Sequence, residues 1–99
     1  MDSLEILKSA LGKFFKYNHY VEGVLKLRES LKTEKYYKDR WNDVIELIVY
    51  RKLQQGVPLY LTDVSANLPI NENTDEEAYV WLTLMIVNSV SDQEIIEYK

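Results

Sequence analysis

Thr74-Asp75-Glu76-Glu77-Ala78-Tyr79-Val80-Trp81-Leu82-Thr83-Leu84-Met85-Ile86-Val87-Asn88-Ser89-Val90 is the stretch that decides the fold class. Its opening has the form of a capping box, with Thr74 as N-cap, Glu77 three residues on, and acids in the first turn where the helix dipole favours them. At 100° per residue, Ala78, Leu82 and Met85 lie along one face, and Val80, Leu84 and Val87 lie opposite. A helix that is apolar on nearly every side is either central in its domain or covered by a partner. The spacing predicts a helix over about residues 75–90 of a helical protein, in one or other of these two places.

Working outward, Ser91-Asp92-Gln93-Glu94 repeats the box and predicts a short final helix through Ile95 and Ile96. Upstream, Tyr37, Trp41, Val44, Ile45 and Ile48 recur at helical spacing, with Asp39, Asn42, Asp43 and Glu46 opposite. This predicts one long helix over about residues 34–55. Thr33 is its possible cap, Arg51 and Lys52 suit its C-terminal dipole, and Gly56 its left-handed stop. Near the N-terminus, Leu4, Leu7, Ala10, Leu11, Phe14 and Phe15 share an arc, which predicts a helix over about residues 3–17 capped by Asp2 or Ser3. Tyr17-Asn18-His19 reads as a turn. A second helix over about residues 20–31 turns Val21, Val24, Leu25 and Leu31 inward, with Gly23 weakening it. Residues 57–73 show no long period. Leu59, Leu61, Val64, Leu68 and Ile70 pin them to the core, and Thr62 could cap one helical turn ending near Leu68, ahead of Pro69.

The fold expectation is a small all-α bundle of four main helices plus a short C-terminal helix, forming a single domain over residues 1–99, monomeric when free. A chain of 99 residues supports one core. Three glycines, two prolines and 46% hydrophobic residues fit an ordinary globular chain and no low-complexity tract. The first residues lack a basic stretch followed by an apolar run, and no apolar stretch approaches the roughly 20 residues that span a bilayer. The expected setting is therefore the cytoplasm, with no membrane partner.

Most chemistry is excluded by composition. With no cysteine, there is no disulfide framework, thiolate metal site or cysteine nucleophile. The single histidine, His19, has Lys16 three residues before it, so the Glu-x-x-His motif of di-metal bundles is missing. Asp39 and Asp43 stand at i, i+4 on a polar face. General acid–base work needs a desolvated carboxyl group. No phosphate loop, dinucleotide fingerprint or nucleophile elbow is present. The expectation is a protein without catalytic residues, metal or cofactor. Nucleic-acid binding is disfavoured too. The cations from Lys8 to Arg40 are interleaved with acids, and the sequence pI is about 5.0, where DNA-binding domains usually exceed about 9. A small helical DNA-binding or regulatory domain is the alternative reading.

What remains is a charge asymmetry. Residues 1–56 carry eight acids and eleven bases, whereas residues 57–99 carry eight acids and Lys99 alone. Asp63, Glu72, Asp75, Glu76 and Glu77 crowd one segment, and no lysine or arginine lies between residues 53 and 98. Such a surface would attract a basic partner and speed its association. Eight tyrosines are more than so small a core can centre, and tyrosine supplies interface area at low entropic cost. Tyr50 falls on a polar arc, and Tyr60 lies in the irregular segment. The expected partner-binding residues are Tyr60, Asp63, Glu72, Asp75, Glu76, Glu77 and Tyr79.

Trp41-x-x-Val44-Ile45-x-Leu47-Ile48-x-x-Arg51-x-Leu53-x-x-Gly56, then Ala66-Asn67-Leu68-Pro69-Ile70, then Asn73-Thr74-Asp75-Glu76-Glu77-Ala78-Tyr79-x-Trp81-Leu82 resembles small bacterial immunity proteins. More narrowly, it resembles those of contact-dependent growth inhibition systems, over roughly residues 41–84. The resemblance implies a cytoplasmic protein that binds and blocks a cognate protein toxin. Toxins of such systems are frequently nucleases, so a basic nuclease domain is the expected partner. Trp41, Pro69, Ala78 and Trp81 are expected to be structural.

Overall fold

The computed structural model describes residues 2–98, so Met1 and Lys99 of the expected 1–99 domain lie outside it. The described residues are all helical and irregular structure, without strands. Among the described residues six helices form: α1 (Ser3–Ala10), α2 (Tyr20–Thr33), α3 (Lys35–Lys38), α4 (Trp41–Val49), α5 (Val57–Tyr60) and α6 (Asp75–Ser89). Both α1 and α5 run on into a π-helical turn, at Leu11–Phe15 and Leu61–Ser65. The wider turns are marked by i→i−5 bonds, from Lys16 N–H to the Leu11 carbonyl (3.2 Å) and from Ala66 N–H to the Leu61 carbonyl (2.9 Å). Among the described residues no helix is long and apolar enough to cross a membrane.

Of the two places open to the Thr74–Val90 stretch, α6 takes the central one. It packs against α2, α4, α5 and the second π turn, and Ala78, Leu82 and Met85 are fully buried. The core around it gathers Leu7, Leu11, Phe14 and Phe15 with Val24, Leu27, Val44, Ile48 and Leu61. Trp41 reaches α6 through its indole N–H, which donates to the Ser89 hydroxyl at 3.0 Å.

The long helix expected over residues 34–55 is instead two helices and a loop. The first break falls at Arg40, whose φ of −118° and ψ of 7° end α3 and cap α4. Tyr37 and Trp41 are both buried but serve different neighbours. Tyr37 meets the Ser9 hydroxyl on α1 at 2.8 Å, while Trp41 meets Ser89 on α6. A straight helix stacks residues i and i+4 on one face, so the kink lets each reach its own partner. The second difference is the stop. Arg51 adopts φ 50°, with Lys52 N–H bonded to the Leu47 carbonyl (2.9 Å) and Arg51 N–H to that of Ile48 (3.2 Å). This is a Schellman end with arginine where glycine is usual. Gly56 is left-handed, at φ 86°, but it opens α5 rather than closing α4.

Three further expectations are corrected. Residues 57–73 hold α5, which starts at Val57, and Thr62 lies inside its continuation, donating to the Pro58 and Leu59 carbonyls rather than capping. The short final helix does not form: residues 91–98 are irregular, and the Ser91 hydroxyl accepts from Gln93 N–H in a local turn. In α2 the buried residues are Gly23, Val24, Leu27 and Ser30, while Val21 and Leu25 face solvent, as does Val64 beyond α5.

Candidate functional site

The acidic segment folds back on itself. Thr74 caps α6 by accepting Glu77 N–H at 3.2 Å, as the box requires. The reciprocal half of the box is replaced. Glu77 turns its carboxylate to the preceding loop and accepts Asn71 N–H through both oxygens at 3.0 Å, and Glu72 N–H at 2.6 Å. Only 4% of Glu77 is exposed. Asp75 acts in the same way on α5, where its oxygens accept Gly56 N–H (2.7 Å) and Leu59 N–H (3.1 Å). These are amides at a helix start, which have no partner within the helix. One carboxylate thus ties the start of α5 to the start of α6.

Glu76 is paired across the fold. Arg51 holds both of its oxygens, at 2.8 and 2.9 Å, and lays its guanidinium 4.7 Å from the centre of the Tyr79 ring. Tyr79 is only 7% exposed. No cation lies between residues 53 and 98 in sequence, yet Arg51 reaches this site from just beyond α4, because α4 and α6 pack side by side. Elsewhere Arg28 crosses from α2 to the carboxyl end of α6, donating to the Asn88 carbonyl at 2.8 Å. A cation is favoured at that end of the dipole.

Of the seven expected contact residues, the structure brings Asp75, Glu76, Glu77 and Tyr79 together, with Glu72 joined through its backbone. Asp75 and Glu77 serve backbone amides, and Tyr79 is roofed by Arg51. Tyr60, Asp63 and Glu72 have exposed side chains, Tyr60 at 51%. Sequence reasoning did not nominate the outer face of α6, where Val80 (42% exposed) and Val87 (44%) stand two turns apart, with Thr83 between them and Val90 beyond. The signal was present in the second apolar face of the Thr74–Val90 stretch.

A shallow recess of about 360 Å³ lies apart from this surface, lined by Ile6, Lys35, Tyr36, Asp39 and Arg40. Arg40 is already paired there with Asp43 at 2.9 Å. Among the described residues no three histidine, aspartate or glutamate side chains are placed to share a metal ion. No family model, curated protein or solved structure matches the chain.

Proposed function

We propose that the protein is an immunity protein that neutralises a cognate toxin domain by stoichiometric binding. The observation that carries this reading is the outer face of α6. The central helix of the fold leaves Val80 and Val87 in water, while Glu76 lies on the same side one turn before Val80. An apolar strip with charged groups at its rim has the makeup of a protein interface. Asp63, Glu72 and Tyr60 are exposed as well, and the acids would favour a basic partner such as a nuclease with a phosphate-binding cleft. Asp75, Glu77 and Tyr79 hold the surface in shape from beneath and are not contacts in this reading.

The test pairs the protein with the toxin domain encoded beside it. Val87→Lys on the apolar strip should weaken binding by at least tenfold, with the helical circular dichroism unchanged. Asp63→Asn with Glu72→Gln should slow association most at low salt. Unchanged affinity in all these variants would exclude this surface. Failure of the protein to bind the toxin or to protect cells expressing it would exclude the immunity role.

A further inference from the structure

The last segment of the chain lies against the fold as a bound peptide lies in a receptor. After α6 the backbone stays irregular through Tyr98, and from Ser91 onward its one backbone–backbone hydrogen bond to the rest of the fold, among the described residues, runs from Ser91 N–H to the Asn88 carbonyl, at 3.4 Å. Side chains of α2 and α6 make the other attachments. The buried Asn88 amide accepts Ile96 N–H at 2.9 Å and donates to the Ile96 carbonyl at 2.8 Å, reproducing with one side chain the paired bonds of a neighbouring strand. Arg28 donates to the Gln93 carbonyl at 2.9 Å. Tyr98 stacks on Trp81 with ring centres 5.1 Å apart, and Tyr20 meets the same indole edge-on at 5.6 Å.

The fit is incomplete. Trp81 is 5% exposed, and its indole N–H has no acceptor among the described residues. Ile96, Glu94 and Glu97 remain exposed, so few side chains of the segment are buried in return. A buried donor left unmatched weakens whatever occupies the site.

We infer that the groove between α2 and α6 is a receptor for one extended segment. Its resident occupant is the chain's own residues 92–98, and it accepts the same segment from another molecule once its own is loosened. Asn88 reads backbone and is indifferent to side chain, whereas Trp81, braced edge-on by Tyr20, selects an aromatic residue two places further along. The ligand class is therefore an extended peptide with an aromatic residue two places after the backbone unit that Asn88 holds.

A tethered segment competes at an effective concentration of the order of millimolar. A fluorescein-labelled peptide of residues 91–99 should therefore bind the full wild-type chain poorly below that concentration. In the full chain carrying Tyr98→Ala, whose own segment has lost its stack on Trp81, the peptide should bind at least tenfold more tightly. Methylating the peptide nitrogen at Ile96, which removes the donor to Asn88, should abolish the gain. Equal binding by wild-type and Y98A chains, or by plain and methylated peptides, would overturn the inference. Hydrogen exchange of the unmodified chain gives a check free of any folding defect. The Ile96 amide should exchange through a local opening, much faster than the Met85 amide, and faster still with excess unlabelled peptide. Protection of Ile96 equal to that of Met85 would show that the segment leaves only when the whole fold unfolds, and would also overturn it.

Discussion

Glu77 accepts the backbone N–H of Asn71 through both carboxylate oxygens, at 3.0 Å each, from a position six residues further along the chain. With the Glu72 amide added, this buried carboxylate organises the turn that delivers the chain into α6. Glu77→Ala should destabilise the fold by about 1–3 kcal/mol, because the loop amides lose their acceptor in a site that water does not readily reach. Glu77→Gln keeps one acceptor oxygen and should cost less. Urea denaturation followed by circular dichroism measures both, and a neutral E77A would mean the loop amides find another acceptor.

Gly23 sits in the body of α2, where helix propensity alone says that alanine would stabilise by about 1 kcal/mol. The packing gives the opposite sign. A Cβ there would lie 2.6 Å from the Phe15 ring and 2.7 Å from the Phe14 backbone carbonyl, which cannot swing away as a side chain can. Gly23→Ala should lower stability by about 1–3 kcal/mol, the usual range for overpacking. A rise in the urea midpoint would show that α2 can move off the first π turn.

Glu34 follows α2 and accepts hydrogen bonds from the Ser30 hydroxyl and the Lys13 ammonium, the latter at 3.1 Å. The Ser30 bond first, and then Lys13, hold its carboxyl below the ordinary value of 4.5. A depressed folded pKa gives stability that is present above the unfolded value and is lost as pH falls through the folded one. Wild type should therefore exceed Glu34→Gln in stability at neutral pH, and the two should converge as the pH drops below 4.5. Urea midpoints from pH 7 downward measure this, and a gap independent of pH would refute it.

Tyr20 titrates at the other end of the scale. Burial raises its phenol above the ordinary value of 10.0; the Asn88 hydrogen bond partly opposes this, and the nearby Glu97 adds to it. A raised folded pKa means the contribution is complete below the unfolded value and is lost as pH rises through the folded one. Wild type should be more stable than Tyr20→Phe at pH 8, where Asn88 still donates to the hydroxyl, at 2.8 Å. That advantage should shrink as the pH climbs past 10.0. Thermal midpoints of the two proteins across this range check it, and a constant difference would contradict it.

The helices were legible wherever their reasons were local. The Thr74 cap, the arc of Leu7, Leu11 and Phe14, and the burial of Val44 and Ile48 all follow from spacing, which is how a helix presents one face. The break at Arg40 was not legible, because neither proline nor glycine marks it, and the residues that flank it, Tyr37 and Trp41, bond to two distant serines, Ser9 and Ser89, at opposite ends of the chain. The final helix expected from Ser91 to Ile96 fails for a similar reason. Asn88 offers the Ile96 backbone two hydrogen bonds that a helix would have had to supply internally. At the candidate surface, Tyr60, Asp63 and Glu72 could be foreseen as exposed polar residues of an irregular stretch, but the engagement of Asp75 and Glu77 with backbone amides could not.

By itself the sequence determined that the protein is helical, that the Thr74–Val90 stretch is a helix apolar on two opposite faces, and that the negative charge gathers after residue 56. Periodicity and capping act within a few residues, and charge is simply counted. Only the tertiary structure decided which of those charges are engaged within the fold. Arg51 comes from the basic half to neutralise Glu76, and the starts of α5 and α6 meet so that Asp75 bridges them. The physical reason is that a carboxylate's role depends on which donors the packing brings within about 3 Å of it, and those donors lie many residues away along the chain.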